Sequence, residues 1–386
     1  MKILIIGGGA SGMMCALKSA KKGAEVTIVE RNDRVGKKLL ATGNGKCNLS
    51  NLGASKDAYN SPFVAKVLAK YDAQKIIAEF ASLGLLCKAD SEGRVYPYSE
   101  SATTVLNVLL QRLAEYGVEI QCDCVAQKIE KSGDGFKLIT SKGELFADKI
   151  VLASGSDATS GFNSHSLVGD FGHKTVPLNY AIAPLLCKDV KGANGVRAKV
   201  YASIAVNGKT LMGERGELLF KDNALSGVLA FRLSSMLARY RDKVNSCEVI
   251  VDFVPDMSEK DLADYIYSNC SVYAPLEGVL HKALAYNVLA TVPMDRSLIM
   301  SRKKAEDIAR GCKNFKVNIE GVGGKSSAQV ASGGIALDGI DDMSLQSKLC
   351  NGLYIIGEAT DVDGLCGGFN LHWAWASALA CSEDML

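Results

Sequence analysis

The stretch MKILIIGGGASGMMCALKSAKKGAEVTIVE, residues 1–30, indicates how the chain begins to fold. Residues 3–6 are a continuous apolar run, which is typical of a strand buried on both faces. A G-x-G-x-x-G turn follows, and apolar residues then recur at helical spacing up to Gly23. The next predicted strand is Val26 to Val29, and Glu30 ends it. This order of strand, glycine turn, helix and strand predicts an α/β domain built on a parallel sheet.

The glycine turn stands where a dinucleotide-binding fingerprint requires it, after a strand and at the start of a helix. Its first glycine makes the tight turn, the second lets a pyrophosphate approach, and the third lets helix and strand pack closely. The helix N-terminus offers unpaired N–H groups to the phosphates. An acid at the end of the second strand can accept a hydrogen bond from a ribose hydroxyl. We therefore predict an adenine dinucleotide contact, formed by Gly7, Gly9, Ala10, Ser11, Gly12, Glu30 and Arg31.

This fingerprint leaves the choice between FAD and NAD open. Glu30 disfavours NADP, whose extra phosphate it would repel, but the adjacent Arg31 weakens that argument. The alternative is a strand, turn and helix with incidental glycines.

The next stretch, RVGKKLLATGNGKCNLSN at 34–51, has no helical or strand period. It follows the second strand directly, so it lies at the carboxyl edge of the sheet, where a nucleotide binds. Its glycines permit close approach of the backbone, and its lysines can meet phosphates. A long loop of this kind suits FAD, with its ribityl chain, better than NAD.

Three later stretches share the pattern of a known family. They are GELLFKDNALSGVLAFRLSS at 216–235, ASGGIALDGI at 331–340 and LYIIGEATDVDGLCGGFNLHWAWASALA at 353–380. With 34–51, they make the chain resemble bacterial FAD flavoproteins described as aminoacetone oxidase-like, YhiN-like or BaiN-like (3-dehydro-bile acid reductase-like). The resemblance covers nearly the whole chain, in order.

The resemblance implies a glutathione-reductase-like Rossmann FAD-binding domain, interrupted by an insertion with β-rich and helical parts. The FAD-binding domain would occupy 1–179 and 331–386. The insertion, 180–330, would be the substrate domain, with a helical part at about 256–312. No second G-x-G-x-x-G is visible in the insertion, so no separate NAD(P)H domain is expected.

The resemblance also implies which residues hold FAD. Two lysines would lie near the phosphates: Lys37 and Lys38. The loop after them would lie beside the ribityl chain and ring: Thr42, Gly43, Asn44, Gly45, Cys47 and Asn48. The adenine would meet the backbone of Val125. The dinucleotide would pass over Ala153, Ser154 and Gly155. A ribityl hydroxyl would donate to the acid of Gly357-Glu358. The N-terminus of the last helix would point at the flavin pyrimidine through Gly368, Phe369, Asn370 and Leu371.

Two of these assignments have a plainer alternative. Lys37 and Lys38 could be a solvated basic pair, and the last helix could be only a core helix. Trp373 and Trp375 are predicted to lie in the core. The stretch SDATSGFNSHSLVGDFGH, 156–173, departs from the family pattern near the flavin. That departure bears on the substrate more than on the cofactor.

Periodicity and turn signals predict the remaining elements. Helices are predicted at 62–71, 73–83, 101–116, 227–240, 258–269, 276–288 and 301–311. A hairpin turn is predicted at Asn207-Gly208. Cys122 and Cys124 are predicted to share one face of a strand.

The predicted chemistry is hydride transfer between flavin N5 and a small organic substrate, with a reductase that uses NAD(P)H favoured. The alternatives are an oxidase of a small amine that uses oxygen, a non-catalytic FAD-binding protein and an NAD-dependent dehydrogenase without flavin. Candidate proton donors are Cys366, His372 and His165, each of which could instead be structural.

Composition narrows the class of partner. The 386 residues carry a net charge of +2, which disfavours nucleic acid and anionic membrane partners. The hydrophobic content of 48% is typical of a globular protein. Twelve scattered cysteines without a CxxC pair, together with four histidines, predict no metal site. No secretory signal or eighteen-residue apolar run is visible, so a reducing cytoplasm is expected.

Overall fold

A computed structural model describes residues 1–156, 164–240, 244–293, 299–324, 328 and 330–386. The chain divides into two compact units. Unit 1 comprises Met1–Asn179 and Val330–Leu386, and unit 2 comprises Tyr180–Gln329.

A five-stranded parallel sheet forms the centre of unit 1. Its strands are β1 (Lys2–Ile6), β2 (Glu25–Val29), β6 (Glu119–Gln121), β10 (Lys149–Leu152) and β20 (Leu353–Ile355). Their order across the sheet is β20-β10-β1-β2-β6. All pairs are parallel, so the carboxyl ends of β1, β2, β10 and β20 meet at one edge. The glycine turn follows β1 at that edge.

Smaller antiparallel sheets and helices complete unit 1. One sheet contains β3 (Ser50–Asn51), β4 (Cys87–Ala89) and β5 (Arg94–Pro97). A second contains β7 (Ala126–Ser132), β8 (Gly135–Thr140) and β9 (Gly143–Ala147), and a strand pair joins β11 (Thr175–Ala181) to β19 (Val330–Ile335). The helices are α1 (Ala10–Lys21), α2 (Lys37–Ala41), α3 (Ala65–Lys70), α4 (Ala73–Ser82), α5 (Ala102–Glu115) and α10 (Phe369–Met385).

The long apolar helix α10 lies in the core of unit 1. Trp373 and Trp375 are both buried, as the sequence predicted. Trp375 packs edge-on against Phe80 of α4, and α10 packs along α1. The last helix of the chain therefore holds together elements that come from its first hundred residues.

Unit 2 has its own sheet and its own core. The strands are β12 (Leu185–Leu186), β13 (Arg197–Val206), β14 (Lys209–Lys221), β15 (Ala224–Ser226), β16 (Cys247–Asp252), β17 (Phe315–Asn318) and β18 (Gly321–Val322). Their order is β17-β16-β13-β14-β15-β12-β18. The helices are α6 (Gly227–Arg239), α7 (Glu259–Asn269), α8 (Lys282–Thr291) and α9 (Arg302–Lys313). A separate apolar cluster lies between this sheet and its helices.

Most of the predicted elements are confirmed. The helices at 73–83, 101–116, 227–240, 258–269 and 301–311 are present with ends displaced by at most two residues. Asn207 and Gly208 both have left-handed φ angles, +50° and +77°, and connect β13 to β14 as a tight hairpin. The predicted helix at 62–71 is present as a 3₁₀ turn, Pro62–Val64, followed by α3.

Three local predictions were wrong. The helix predicted at 276–288 begins only at Lys282, because Gly278 interrupts the first turn and the His281 side chain caps Ala283 N. The stretch 34–51 is not all loop; it contains α2 and a 3₁₀ turn, Thr42–Gly45, both too short to leave a period. Cys122 and Cys124 do not share a strand, because β6 ends at Gln121 and Asp123 has a φ of +50°.

Candidate functional site

The glycine turn after β1 has the shape of a phosphate cradle. Gly7 has a φ of +106°, and a Cβ there would lie 2.5 Å from the carbonyl oxygen of Ala153. A Cβ at Gly12 would collide with the carbonyl oxygen of Gly7. A Cβ at Gly9 would meet nothing within 4 Å, so the chain leaves open space in front of α1. That helix begins without a side-chain cap and without an acid in its first turn. Its free N–H groups and partial positive charge therefore fit a pyrophosphate.

Glu30 lies at the carboxyl edge beside this turn and is buried. One carboxylate oxygen accepts from Gly8 N at 2.8 Å, and the other accepts from Asn32 N at 2.9 Å. The oxygen bound to Asn32 N also accepts from Asn32 Nδ2 at 2.6 Å, so its two lone pairs are used. The oxygen bound to Gly8 N keeps a further lone pair that a ribose hydroxyl could use. The neighbouring Arg31 is half-buried.

Val125 is close to Glu30 in the fold, because Cys124 N donates to the carbonyl of Glu30 at 2.9 Å. Both backbone polar groups of Val125 are engaged by Ser141. Val125 N donates to Ser141 Oγ at 3.0 Å, and Ser141 N donates to the Val125 carbonyl at 2.9 Å. An adenine at Val125 would have to share or displace the Ser141 hydroxyl, so this contact stays a prediction.

The two lysines predicted at the phosphates each have an acidic partner. Lys37 pairs with Asp33 at 2.6 Å on the surface. Lys38 pairs with Glu358, which lies 320 residues further along the chain. This second pair joins the start of the 34–51 stretch to the end of β20. It brings together two residues that the sequence assigned separately to the phosphates and to the ribityl chain.

Glu358 is the centre of a small polar network. Its Oε1 accepts from Ser156 Oγ at 2.8 Å and from Ala331 N at 3.3 Å, while Oε2 is paired with Lys38. Gly155, with a φ of +71°, passes beside the same carboxylate. The ends of β10 and β20 therefore meet at one acid, and the ribityl contact assigned to it stays a prediction.

The loop after α2 is held in an unusual conformation. Gly43, Asn44, Gly45 and Cys47 all have left-handed φ angles, between +54° and +82°. Thr42 Oγ1 donates to the carbonyl of Leu39 at 2.6 Å. Left-handed non-glycine residues are costly and persist where the surroundings determine them, often at ligand sites.

The N-terminus of α10 lies directly against this loop. Gly368 has a φ of +99°, and a Cβ there would collide with the Ser50 carbonyl and lie 2.6 Å from Asn48 Oδ1. Asn51 Nδ2 donates to the carbonyl of Gly367 at 2.9 Å. The buried Asn48 Oδ1 accepts no hydrogen bond from any described residue, so it is an acceptor that a ligand donor could satisfy.

Other residues at the same helix end have structural duties. The Asn370 side chain closes the preceding turn by exchanging two hydrogen bonds with Gly364, at 2.8 and 2.9 Å. The Phe369 carbonyl accepts from Tyr59 Oη at 2.9 Å. Leu371 follows in the first turn of α10 and is half-buried. The backbone of this turn is thus held rigidly from both sides.

The candidate proton donors differ in accessibility. His372 is fully buried, with Nδ1 2.8 Å from Ser50 Oγ, and burial lowers its pKa to about 4. His165 is also buried, with Nε2 3.2 Å from the carbonyl of Gly155. Burial raises the pKa of the Cys47 thiol to about 12. Cys366 is half-buried. Both imidazoles are buried against protein atoms, which favours a structural role over proton transfer to a substrate.

Several site residues were not found from the sequence. Ser156 directly follows the predicted cofactor residues Ala153, Ser154 and Gly155, and this position was the signal that could have identified it. Tyr59 contacts the carbonyl and the ring of Phe369, and Trp375 contacts the carbonyl of Leu49. Both partners lie more than 300 positions away, so these contacts left no local pattern. Tyr96 alternates with buried residues in β5, a pattern that indicates a strand but no chemistry.

No group of three or more histidine, cysteine or acidic side chains within the described ranges is arranged to hold a metal ion. Among the helices that the structure describes, none combines the length and the apolar character needed to cross a membrane.

Known proteins resemble this chain over its whole length. The family model described as HI0933-like protein Rossmann domain matches residues 1–384. The 3-dehydro-bile acid delta(4,6)-reductase of Clostridium scindens is 32% identical, over 97% of each chain. The ribosomal RNA dihydrouridine synthase of Escherichia coli is 25% identical, over 99% of this chain and 97% of that protein. The structure of a 3-ketosteroid-delta4-(5alpha)-dehydrogenase from Rhodococcus jostii covers 98% of this chain and 96% of its own, at 14% identity and a TM-score of 0.48.

Proposed function

The chain belongs to the HI0933-like Rossmann family and is an FAD-dependent oxidoreductase, and we propose that it reduces a carbon–carbon double bond conjugated to a carbonyl in a small organic molecule. NADH or NADPH is the electron donor in this proposal. The expectations of FAD and of an oxidoreductase are thus met, and the donor and substrate are the proposed part.

The choice of substrate class rests on chemistry that two relatives share. A delta(4,6)-reductase of a 3-dehydro-bile acid saturates double bonds conjugated to the 3-ketone. A dihydrouridine synthase saturates the uracil C5–C6 bond, which is conjugated to the C4 carbonyl. Both reactions add a hydride to the carbon remote from the carbonyl and a proton to the carbon beside it. We favour the small molecule because the net charge of +2 offers little attraction to RNA.

The observation that carries the proposal is the packing of the α10 N-terminus against the loop at 42–51. Bound FAD supplies hydride transfer through N5. The N–H groups that follow Gly368 point out of a helix whose first turn contains no acid, so they favour negative charge at the N1–C2 edge of the flavin. The Asn48 carbonyl oxygen offers an acceptor beside them. Phosphates would lie at Gly9, and a ribityl hydroxyl would meet Glu358.

Unit 2 is the substrate-selecting part in this proposal. It has a core and a sheet of its own, and no second dinucleotide fingerprint is visible in its sequence. The nicotinamide would therefore react as a transient partner of the FAD-binding unit and not from a dedicated domain.

The first experiment is the visible absorption spectrum of the purified protein, recorded before and after anaerobic addition of NADH or NADPH. A 3-oxo-Δ4 steroid is then added to the bleached sample. We expect a flavin spectrum that bleaches with one nucleotide and returns with the steroid. The control is the same addition of a saturated 3-oxo steroid, which should restore no colour.

Three results would contradict the proposal in different ways. A flavin that resists both nucleotides but bleaches with a small amine would indicate an oxidase. If only unmodified ribosomal RNA reoxidises the bleached flavin, the substrate is RNA and not a small molecule. A protein that stays colourless after incubation with FAD would refute the cofactor itself.

A further inference from the structure

Tyr96 lies beside the loop that is expected to hold the flavin. Its ring carbon Cε1 would be 3.7 Å from a Cβ built on Gly43, within van der Waals reach. It projects from β5 into a cleft of about 200 Å³. The charged residues that line this cleft are Lys46, Lys88, Asp90, Arg94 and Glu100.

These charged side chains form ion pairs with one another. Lys46 and Lys88 both pair with Glu100 at 2.7 Å, and the two lysines lower the pKa of that carboxyl to about 2. Arg94 pairs with Asp90 at 2.7 Å. The cleft therefore holds its charges in ion pairs, and the Glu100 carboxyl, with its lowered pKa, has no proton to release near neutral pH.

The Tyr96 hydroxyl is different, because it makes no hydrogen bond to any residue in the described part of the chain. The side chain is half-buried, and burial raises the pKa of the phenol, against opposing effects of Arg94 and Lys46. The thiol of Cys366, which precedes the α10 glycines, also acts on the phenol electrostatically. The phenol is thus protonated, half-buried and within van der Waals reach of the flavin loop at Gly43.

We propose that Tyr96 is the proton donor of the reaction, and that its Oη–H protonates the carbon beside the substrate carbonyl. This inference rests on the proposed function. It follows from the position of Tyr96 against Gly43, from its free hydroxyl and from the sequestration of His372, His165 and Cys47. The accessible cleft would let water return the proton.

The atoms and electrons of this step balance. The hydride pair from reduced flavin forms a C–H bond at the carbon remote from the carbonyl, and the C=C π electrons move toward the carbonyl. The Tyr96 O–H bond breaks, and its proton forms the second C–H bond. The substrate gains two hydrogens and is reduced, the flavin is oxidised, and water reprotonates the phenolate.

The test separates proton transfer from electron transfer. Holoenzyme is reduced anaerobically with the nicotinamide and then reoxidised either by a 3-oxo-Δ4 steroid or by ferricyanide, which takes electrons and needs no proton donor. Y96F is compared with the wild type and with Y98F, an exposed tyrosine two residues further on. We expect Y96F to slow flavin reoxidation by the steroid about 10²-fold or more. The rate of reoxidation by ferricyanide should stay within about a factor of two of the wild-type rate. Y98F should behave as the wild type with both oxidants.

A purely structural tyrosine would give another pattern. The proposal is overturned if Y96F slows flavin reoxidation by the steroid and by ferricyanide equally, or if it slows neither reaction. If the wild-type flavin is bleached but the steroid does not reoxidise it, the substrate class of the proposed function is wrong. A second measurement then tests whether Tyr96 lies at the flavin.

That second measurement needs no substrate. The holoenzyme is prepared with 3-fluorotyrosine, and the ¹⁹F resonance of Tyr96 is assigned from its loss in Y96F. Reduction with dithionite should shift this resonance, because the phenol lies at the flavin, and should leave the Tyr98 resonance in place. An unshifted Tyr96 resonance would remove Tyr96 from the flavin site and overturn the proposal whatever the substrate is.

Discussion

At the scale of single residues, Gly368 shows how closely the site is packed. Its left-handed φ of +99° and its contact with the Ser50 carbonyl leave no room for a side chain. We expect G368A to destabilise unit 1 by at least about 2 kcal/mol, from backbone strain plus overpacking. Urea unfolding and the ratio of flavin to protein absorbance should both report the loss.

A second glycine provides the control for this substitution. Gly208 also has a left-handed φ, +77°, but a Cβ there would meet nothing within 4 Å. G208A should therefore show only the strain of the backbone, about 1 kcal/mol, with the flavin content of the wild type. Equal effects of the two variants on flavin content would argue that Gly368 is not part of the cofactor site.

The buried His372 should make the folded protein less stable in acid. Burial lowers its pKa from near 6.5 to about 4, so between these values the unfolded chain binds a proton that the folded chain does not. Stability should thus fall as the pH drops from about 6.5 to about 4, by about 3 kcal/mol from this group, and should be unaffected above that range. In H372N, where an amide can still reach Ser50, the fall should be correspondingly smaller.

The free energy of unfolding at pH 7.5, 5.5 and 4.5 checks this expectation. His173 contributes a fall of the same sign, since burial also lowers its pKa, and that part remains in both proteins. His281, which is exposed, supplies the control, and H281N should follow the wild-type curve. Parallel curves for the wild type and H372N would contradict the assignment of a neutral, buried imidazole.

At the scale of elements, the sequence could predict structure that adjacent residues specify, but not contacts between residues far apart in the chain. The strand, glycine turn and helix at 1–21 and the hairpin at Asn207-Gly208 are specified by adjacent residues, and both were predicted. The ion pair of Lys38 with Glu358 and the bond from Trp375 to Leu49 join residues more than 300 positions apart. Such contacts leave no periodicity in either segment, so the sequence could suggest their residues but not their partners.

Helix α10 illustrates this through its two tryptophans. Trp375 Nε1 donates to the carbonyl of Leu49 at 3.0 Å, and Trp373 Nε1 donates to the carbonyl of Gly357 at 3.2 Å. We expect W375F to leave the Leu49 carbonyl unsatisfied, at a cost of about 1–3 kcal/mol, and to loosen the loop at 48–52. Hydrogen–deuterium exchange of peptides from that loop should increase.

The two substitutions control each other. W373F should raise exchange at 357–360, after β20, and leave 48–52 protected, while W375F should do the reverse. If both variants raised exchange equally in both segments, α10 would be acting only as core volume and not as two separate anchors.

At the scale of the whole molecule, the two units are proposed to have separate duties. The chain leaves unit 1 in β11 and returns in β19, and these strands are hydrogen-bonded neighbours, with Gly333 against the carbonyl of Pro177. The chain ends at 179 and 330 are therefore close enough for a short linker. Each unit also has an apolar cluster of its own.

We therefore expect a chain with 180–329 replaced by a Gly-Ser linker of about six residues to fold and to bind FAD. Every residue assigned to the cofactor lies outside the replaced segment, so the flavin spectrum and its bleaching by dithionite should remain. Reoxidation by the steroid should be lost, because substrate selection is assigned to unit 2. The isolated segment 180–329, examined by circular dichroism, should unfold cooperatively. A linked chain that folds but binds no FAD would mean that unit 2 contributes to the cofactor site, and one that still reduces the steroid would move substrate selection into unit 1.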